Sequence, residues 1–394
     1  MDVAFFKLFS IRFFGLGLTF ATIFFIKVNL GIESVGLYYI YLNTIILSGS
    51  LATIGLTSLV QKRYAAQNTS NGYLRIILRD ISSRIWLIFC LGFGSVLILL
   101  KFGSFTELLS VVIVSLLYCF SSIFFEIIRF SLNAKISELA RNIVRPSVFL
   151  SLVSLGNPII VSLAFSFLVE FLVTTIVAFR RYKFSENVKW KRDTEGFNLF
   201  VINSIVIIFA QIDILVLSKI LSIEALGVFA TVNRYAFLMS VGLYVGNLIL
   251  IKHVNNLFKT EDRKHMDRYL SELVRLRYFY LIFMVSLLAG LEFYLRLFSI
   301  IDNSAYFYFL VISISFLLQA MMGPINVFFI NLNMTSFLLF TNIILFALFG
   351  GFYYLYFNQA HPLSVLMIIY SFPVIGKLVP YAYFQLYLRK NYEY

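Results

Sequence analysis

Hydrophobic residues fill long unbroken stretches of this chain, and these stretches recur from one end to the other. Each is about 20 residues long, the length that an α-helix needs to cross roughly 30 Å of hydrocarbon. The pattern therefore predicts an all-α integral membrane protein with about 12 transmembrane helices. The predicted spans are residues 10–30, 36–60, 85–101, 106–128, 143–156, 159–179, 197–218, 226–251, 279–298, 305–330, 336–357 and 363–387.

Part of the chain is duplicated. The segment Ile32-Glu33-Ser34-Val35-Gly36 returns 191 residues later as Ile223-Glu224-Ala225-Leu226-Gly227, and the same offset pairs Gly55 with Gly246. Glutamate and glycine are sparse in this chain, so these matches carry more weight than matches of leucine or isoleucine. Internal repeats of this kind are typical of secondary transporters, in which two similar halves enclose the binding site. We expect Gly55 and Gly246 to permit close helix packing.

Lysine and arginine mark one side of the predicted membrane. In the twelve-span arrangement, the main basic clusters fall on the same side as both termini, which predicts that this side is cytoplasmic. Each half then begins in the cytoplasm, so the two halves are parallel repeats related by an axis along the membrane normal. We place the N-terminal six-helix lobe at 1–180, a cytoplasmic linker at 181–196 and the C-terminal six-helix lobe at 197–394. The clusters lie at 62–84, 129–145, 180–192 and 252–277.

Composition supports the membrane assignment and argues against an enzyme. Hydrophobic residues make up 60% of the chain and charged residues 13%, about half the charged fraction of a soluble domain. The net charge of +13 is explained by the basic cytoplasmic loops better than by a nucleic-acid surface. Cys90 and Cys119 lie inside apolar spans without metal or redox spacing. We find no phosphate-binding loop, nucleophile elbow or metal motif, so we expect neither a metal, nor a cofactor, nor ATP hydrolysis by this chain.

Charged residues within the predicted spans are the candidate chemistry, because each is costly in a bilayer unless it is paired or hydrated. Asp213 and Arg234 flank the duplicated turn at equal distances, which places both roughly 15 Å below the outer surface. Their counterparts in the first half are the neutral Thr22 and Asn43. Two interpretations stay open. The two residues form a structural ion pair, or they line a watery cavity in which Arg234 meets an anion and Asp213 answers to protons or sodium.

Glu170 lies halfway along the sixth predicted span. It could relay protons or pair with a residue on another helix. A carboxylate within the bilayer can exchange protons near neutral pH. We expect Glu170, as a lone carboxylate, to be a better coupling residue than Asp213 beside Arg234.

Three further basic residues are candidates with an ordinary alternative. Lys377 lies in the last span between two prolines that should open or kink the helix; it faces the cavity or reaches toward the inner interface. Arg12 and Arg63 stand at the inner ends of the first two helices. They anchor the topology, or they guard the inner mouth of a cavity against phosphate.

The duplicated hairpins carry a family resemblance. The run 211–222 followed by 224–229 resembles the seventh-to-eighth helix hairpin of Wzx-type polysaccharide-unit (O-antigen or capsule) flippases. These belong to the multidrug/oligosaccharidyl-lipid/polysaccharide exporter superfamily. The earlier run 30–38 resembles the first hairpin of the same family, and chain length, span count and short outer loops agree across essentially the whole chain.

This resemblance implies a V-shaped transporter with two lobes around a central cavity, in a bacterial cytoplasmic membrane. Such proteins move an undecaprenyl-diphosphate-linked oligosaccharide from the inner to the outer leaflet, and a glycan polymerase and a chain-length regulator are the expected partners. Arginine binds phosphate bidentately and tyrosine rings stack on sugars, so a basic, aromatic cavity suits this cargo. The candidate lining residues on the hairpin helices are Tyr38, Tyr39, Tyr41, Asn43, Asn203, Gln211, Asn233 and Tyr235.

Three alternatives stay open. A multidrug or organic-cation exporter of the same superfamily would share the fold but should display acidic groups in the cavity, and the first half lacks one. A membrane-embedded oligosaccharide polymerase should have a large outer loop, whereas every predicted outer loop is short. A general solute symporter would not need the hairpin pattern. The glycan, its destination in O-antigen or capsule, and the choice of proton or sodium coupling are not specified by the sequence.

Overall fold

The computed structural model describes residues 3–53, 55–57, 73–99, 105–131, 134–181, 195–240, 250, 263–300, 303–323, 325, 329, 334–356 and 361–392. Every regular element within these ranges is a helix. Nine helices in this part of the chain are long and apolar enough to cross a membrane. Large apolar side chains are exposed on them, with Trp86 at 82% and Phe293 at 74%, as expected for surfaces that face lipid rather than water. The predicted all-α membrane fold is confirmed.

The described helices fall into two sets of six when residues 134–154 count as one helix. The first set is α1 (Val3–Leu30), α2 (Ile32–Ala52), α3 (Tyr73–Leu99), α4 (Phe105–Ser131), α5 (Ala134–Leu139) continuing through a π-helical segment (Ala140–Val144) into α6 (Arg145–Ser154), and α7 (Ile159–Arg181). The second set is α8 (Glu195–Leu217), α9 (Ile223–Ala236), α10 (Arg263–Leu297), α11 (Ser304–Met322), α12 (Thr335–Tyr356) and α13 (Pro362–Tyr392).

The helix starts repeat with the period seen in the sequence. The first three helices of the second set begin 192, 191 and 190 residues after those of the first set, at Val3 and Glu195, Ile32 and Ile223, and Tyr73 and Arg263. The offset then widens to 199 residues for α4 and α11 and to 203 for α7 and α13, which begin at Phe105, Ser304, Ile159 and Pro362. The duplication therefore extends beyond the matching hairpins to the order and spacing of the helices.

The chain divides into two compact units, Met1–Lys219 and Ile220–Tyr394. In the first unit, α2, α3, α4 and α7 surround an apolar core that includes Leu56, Ile88, Ile123 and Ala178. Helix α8 packs on α2 and so belongs to the first unit by its contacts. The lobe boundary expected at 181–196 lies almost entirely outside the described residues and stays a prediction.

Helix α2 ends earlier than the predicted span 36–60. It stops at Ala52, and Gly55 follows with φ of +70°, a conformation that glycine adopts without a Cβ clash. Gly55 therefore permits a turn, not the close helix packing expected from the sequence, while Gly246 lies outside the described residues. Close packing falls to Gly49 instead, where an added Cβ would lie 2.5 Å from the backbone oxygen of Ser115 on α4.

Helix α13 passes through Pro373 and Pro380 without interruption. The expectation that these prolines open the helix is wrong. Membrane helices tolerate proline because neighbouring helices and local adjustments satisfy the carbonyl groups that proline leaves free.

Candidate functional site

The described residues bury four carboxylates, and all four belong to the first unit: Glu126, Glu138, Glu170 and Asp213. Two of them pair with arginines. We use the name arginine ladder for Arg12 of α1, Arg141 of the π-helical segment and Arg145 of α6. Its partners come from α4, α5 and α7, so the ladder joins most of the helices of this unit.

Helical spacing places the ladder on one face. Glu138, Arg141, Asn142 and Arg145 follow each other at intervals of three, four and seven residues, and such positions share a side of a helix. The π-helical segment, Ala140–Val144, lies in the middle of this run. Single wide turns of this kind are frequent at functional sites.

The first rung joins α1 to α5. Arg12 Nη2 donates to Glu138 Oε1 at 2.7 Å, and Asn142 Nδ2 donates to Glu138 Oε2 at 2.7 Å. Both carboxylate oxygens of Glu138 are therefore bound, and its side chain is only 2% exposed. Gly15 makes this approach possible, since an added Cβ there would lie 2.6 Å from the backbone oxygen of Asn142.

We expect Gly15→Ala to push α1 away from the π-helical segment and to stretch the Arg12–Glu138 bond. Overpacking of this kind costs about 1–3 kcal/mol of unfolding free energy, measurable as a lower thermal midpoint of the purified protein in detergent. Gly17→Ala is the matched control on the same helix, because nothing lies within 4 Å of its added Cβ. Equal effects of the two variants would contradict the close contact.

The upper rungs lie deeper along the same helix. Arg141 donates to the hydroxyl of Tyr118 on α4, and its guanidinium carbon lies 5.1 Å from the ring centre of Phe125. Arg145 Nη1 donates to Glu170 Oε2 at 3.4 Å and stands 4.9 Å from the ring centre of Phe167. Seven residues separate Arg145 from Glu138, a rise of about 10 Å.

Arginine is the more accessible member of each buried pair. The side chains of Arg12 and Arg145 are 23% and 19% exposed, whereas those of their partners Glu138 and Glu170 are 2% and 1% exposed. The carboxylates thus hold the guanidinium groups from behind, and the ladder presents positive charge.

Glu170 does not stand alone, and that sequence-based expectation is wrong. Arg145 pairs with it, and Ser121 Oγ donates to its other oxygen at 3.2 Å. Of the two alternatives for Glu170, the structure shows pairing across helices. The argument that its isolation makes it the better coupling residue no longer holds, and its role in coupling stays a prediction.

Sequence reasoning missed Glu138, Arg141, Asn142 and Arg145. It counted the two arginines as part of a cytoplasmic basic loop and began the fifth span at residue 143, whereas α5 begins at Ala134. The statement that the first half lacks an acidic group is also corrected by the buried glutamates. The i, i+3, i+4, i+7 spacing was the available signal. Arg12 lies at the inner end of α1 as expected, and Arg63 lies outside the described residues.

The remaining candidates of the first unit are bound to backbone. Thr22 Oγ1 donates to the carbonyl of Leu18 at 2.8 Å. Asn43 Nδ2 donates to the backbone oxygen of Gln211 at 3.5 Å, so it links α2 to α8. The side chain of Gln211 is half-buried.

Asp213 is buried on α8, and its Oδ1 accepts a hydrogen bond from the backbone nitrogen of Ile214 at 2.8 Å. Arg234 is half-buried on α9, with its guanidinium carbon 5.4 Å from the ring centre of Phe237. The two residues belong to different units. Their pairing, and a cavity around them, stay predictions.

Two other candidates on α9 make contacts within the second unit. Tyr235 stacks on Tyr294 with ring centres 4.4 Å apart, and its hydroxyl donates to the carbonyl of Leu287 at 2.9 Å. Asn233 Oδ1 accepts from the hydroxyl of Tyr370 at 3.3 Å. Lys377 is half-buried on α13, and both interpretations of its role stay open.

Comparison with known proteins gives a fold. No family model matches the chain, and no curated protein matches it. A solved structure of MATE in the straight conformation superposes with a TM-score of 0.66 at 13% identity, covering 98% of this chain and 96% of that one. The fold is that of the MATE transporters of the MOP superfamily.

Two other solved structures share the MATE fold over nearly the whole chain. An inward-facing multidrug resistance MATE family transporter of the MOP superfamily gives a TM-score of 0.60 at 13% identity, covering 100% of this chain and 97% of that one. A MOP superfamily transporter from Pyrococcus furiosus, described by the reverse polarity of its binding pocket, gives 0.57 at 13% identity, covering 98% and 95%. At such identities the likeness shows the fold alone. It supports a multi-pass membrane protein of the transporter type with the expected two-lobe architecture.

Proposed function

We propose that this protein is a flippase that moves an undecaprenyl-diphosphate-linked oligosaccharide to the outer leaflet of a bacterial cytoplasmic membrane. The observation that carries the proposal is the arginine ladder, in which guanidinium groups are presented and carboxylates are held behind them. An anionic diphosphate fits such a surface, because arginine offers paired donors that match phosphate oxygens. The hairpin resemblance points to the same cargo.

The proposal includes the remaining expectations from the sequence. Both termini face the cytoplasm, a glycan polymerase and a chain-length regulator act with the protein, and no covalent chemistry is performed. Proton or sodium entry drives the cycle, since the sequence carries no nucleotide-binding motif.

Export of organic cations is the second candidate. The solved structures favour it more directly than the flippase, because one of them is described as a multidrug resistance transporter. The four buried carboxylates of the first unit add a specific observation, since an exporter of cations needs negative charge near its cargo. The two candidates therefore differ in the sign of charge on the cargo.

The test uses the purified full-length protein in proteoliposomes. We expect it to move a fluorescent polyprenyl-diphosphate trisaccharide between leaflets, measured by quenching of the label from outside, and to leave ethidium efflux at the level of empty liposomes. Ethidium transport without movement of the lipid-linked sugar would overturn the flippase proposal in favour of the second candidate.

A further inference from the structure

The two rungs of the arginine ladder that contain glutamate differ in how firmly the arginine is held. Glu138 receives two bonds of 2.7 Å, one from Arg12 and one from Asn142. The bond between Arg145 and Glu170 is 3.4 Å long, close to the limit of a hydrogen bond. The first rung is therefore a tight structural pair, whereas the Arg145 rung is loosely closed.

The Arg145 rung is also built from three separate helices near the middle of the membrane. Glu170 lies 11 residues from each end of α7, Ile159–Arg181, and Ser121 of α4 donates to it. Phe167, one turn away on α7, packs against the guanidinium of Arg145. An aromatic ring beside a guanidinium stabilises the cation without using any of its hydrogen-bond donors. Four of the five N–H groups of Arg145 make no bond to Glu170.

We infer that Arg145 is a binding site for the phosphate groups of the cargo, and that Glu170 occupies this site as a resident anion whenever the cargo is absent. The inference rests on the proposed function, because it names a place for the same diphosphate. A diphosphate carries more charge and more acceptor oxygens than one carboxylate, so it displaces Glu170 from the guanidinium. The buried carboxylate, still held by Ser121, then competes for Arg145 and promotes release of the cargo.

This arrangement makes a prediction opposite to that of an attractive or merely structural glutamate. Removing the charge of Glu170 frees Arg145 for phosphate, so binding becomes tighter while transport becomes slower. The tightening we expect is roughly tenfold, the scale of one hydrogen bond to a charged group that no longer has to be broken.

The experiment measures calorimetric binding of farnesyl diphosphate to the purified full-length protein in detergent, with farnesol as the uncharged probe. Glu170→Gln should lower the Kd for farnesyl diphosphate and leave farnesol binding unchanged, whereas Arg145→Gln should weaken diphosphate binding. Glu292→Gln is the matched control, because it removes a carboxylate from the exposed Arg296 pair in the second unit. Glu170→Asp, which withdraws the carboxylate by one methylene and keeps its charge, gives a second variant should Glu170→Gln fail to fold.

Unchanged or weaker diphosphate binding in both Glu170 variants, with the wild type binding normally, would overturn the inference and leave the proposed function standing. Failure of the wild type to prefer farnesyl diphosphate over farnesol would overturn both. A Kd that falls in the Glu170 variants, together with slower movement of the lipid-linked trisaccharide in proteoliposomes, is the result that supports the resident-anion role.

Discussion

Arg12→Ala is expected to destabilise the first unit by about 2–4 kcal/mol, the largest stability effect that we predict for a single side chain. Truncation leaves Glu138 buried with only Asn142 to bind it. Breaking a buried pair costs about 3–5 kcal/mol because one charge stays uncompensated, and the partial exposure of Arg12 lowers this figure somewhat. Thermal unfolding of the purified protein in detergent, followed by circular dichroism, measures the change.

The double variant Arg12→Ala/Glu138→Gln separates the stranded charge from lost packing. It should recover most of the stability, because a neutral amide costs less to bury than an unpaired carboxylate. Arg296→Ala is the matched control, since that arginine pairs with Glu292 on the surface, where ion pairs contribute little. A double variant no more stable than Arg12→Ala would show that the side chain of Arg12 acts through packing.

Arg234→Ala is expected to abolish movement of the lipid-linked oligosaccharide while leaving the protein folded and inserted. The prediction follows from the proposed function and from the depth of this half-buried residue on α9, where its counterpart Asn43 is neutral. Arg234→Lys should restore only part of the activity, because lysine keeps the charge but loses the bidentate fork. Export per molecule is measured in proteoliposomes, with protein abundance determined separately.

The control for Arg234 is Arg275→Ala, which removes an equally long cation from an exposed pair on α10 and should leave transport unchanged. If Arg234→Ala lowers only the amount of protein, and each molecule exports normally, then Arg234 is a structural residue and not part of the binding site.

The membrane fold could be predicted because its determinants are local. A helix in lipid satisfies its own backbone hydrogen bonds, so a long apolar run is sufficient to specify a span. The duplication was visible in the sequence for a similar reason, since helix order and spacing follow directly from residue numbers, as Ile32 and Ile223 illustrate. Family resemblance in the hairpins led to the superfamily whose fold the structure shares.

Local signals were weaker where the chain turns or approaches another helix. Gly55 and Gly49 are the same residue type in the same stretch of sequence. One has a positive φ and permits a turn, and the other makes room for the backbone of α4. Which role a glycine has depends on its dihedral angles and on the neighbouring helix, and residue type alone reports neither.

The sequence by itself determined that this chain is a duplicated helical membrane protein of the transporter type, because hydropathy, repeat spacing and basic loops are properties of single segments. Only the tertiary structure decided the chemistry of the first unit. The bond between Arg12 and Glu138 joins residues 126 positions apart, and Glu170 meets Arg145 across two helices. Positive charge near a membrane surface is the same in sequence whether it anchors a loop or lies against a buried carboxylate. The difference arises from helix packing, which brings distant charges together and removes water from between them.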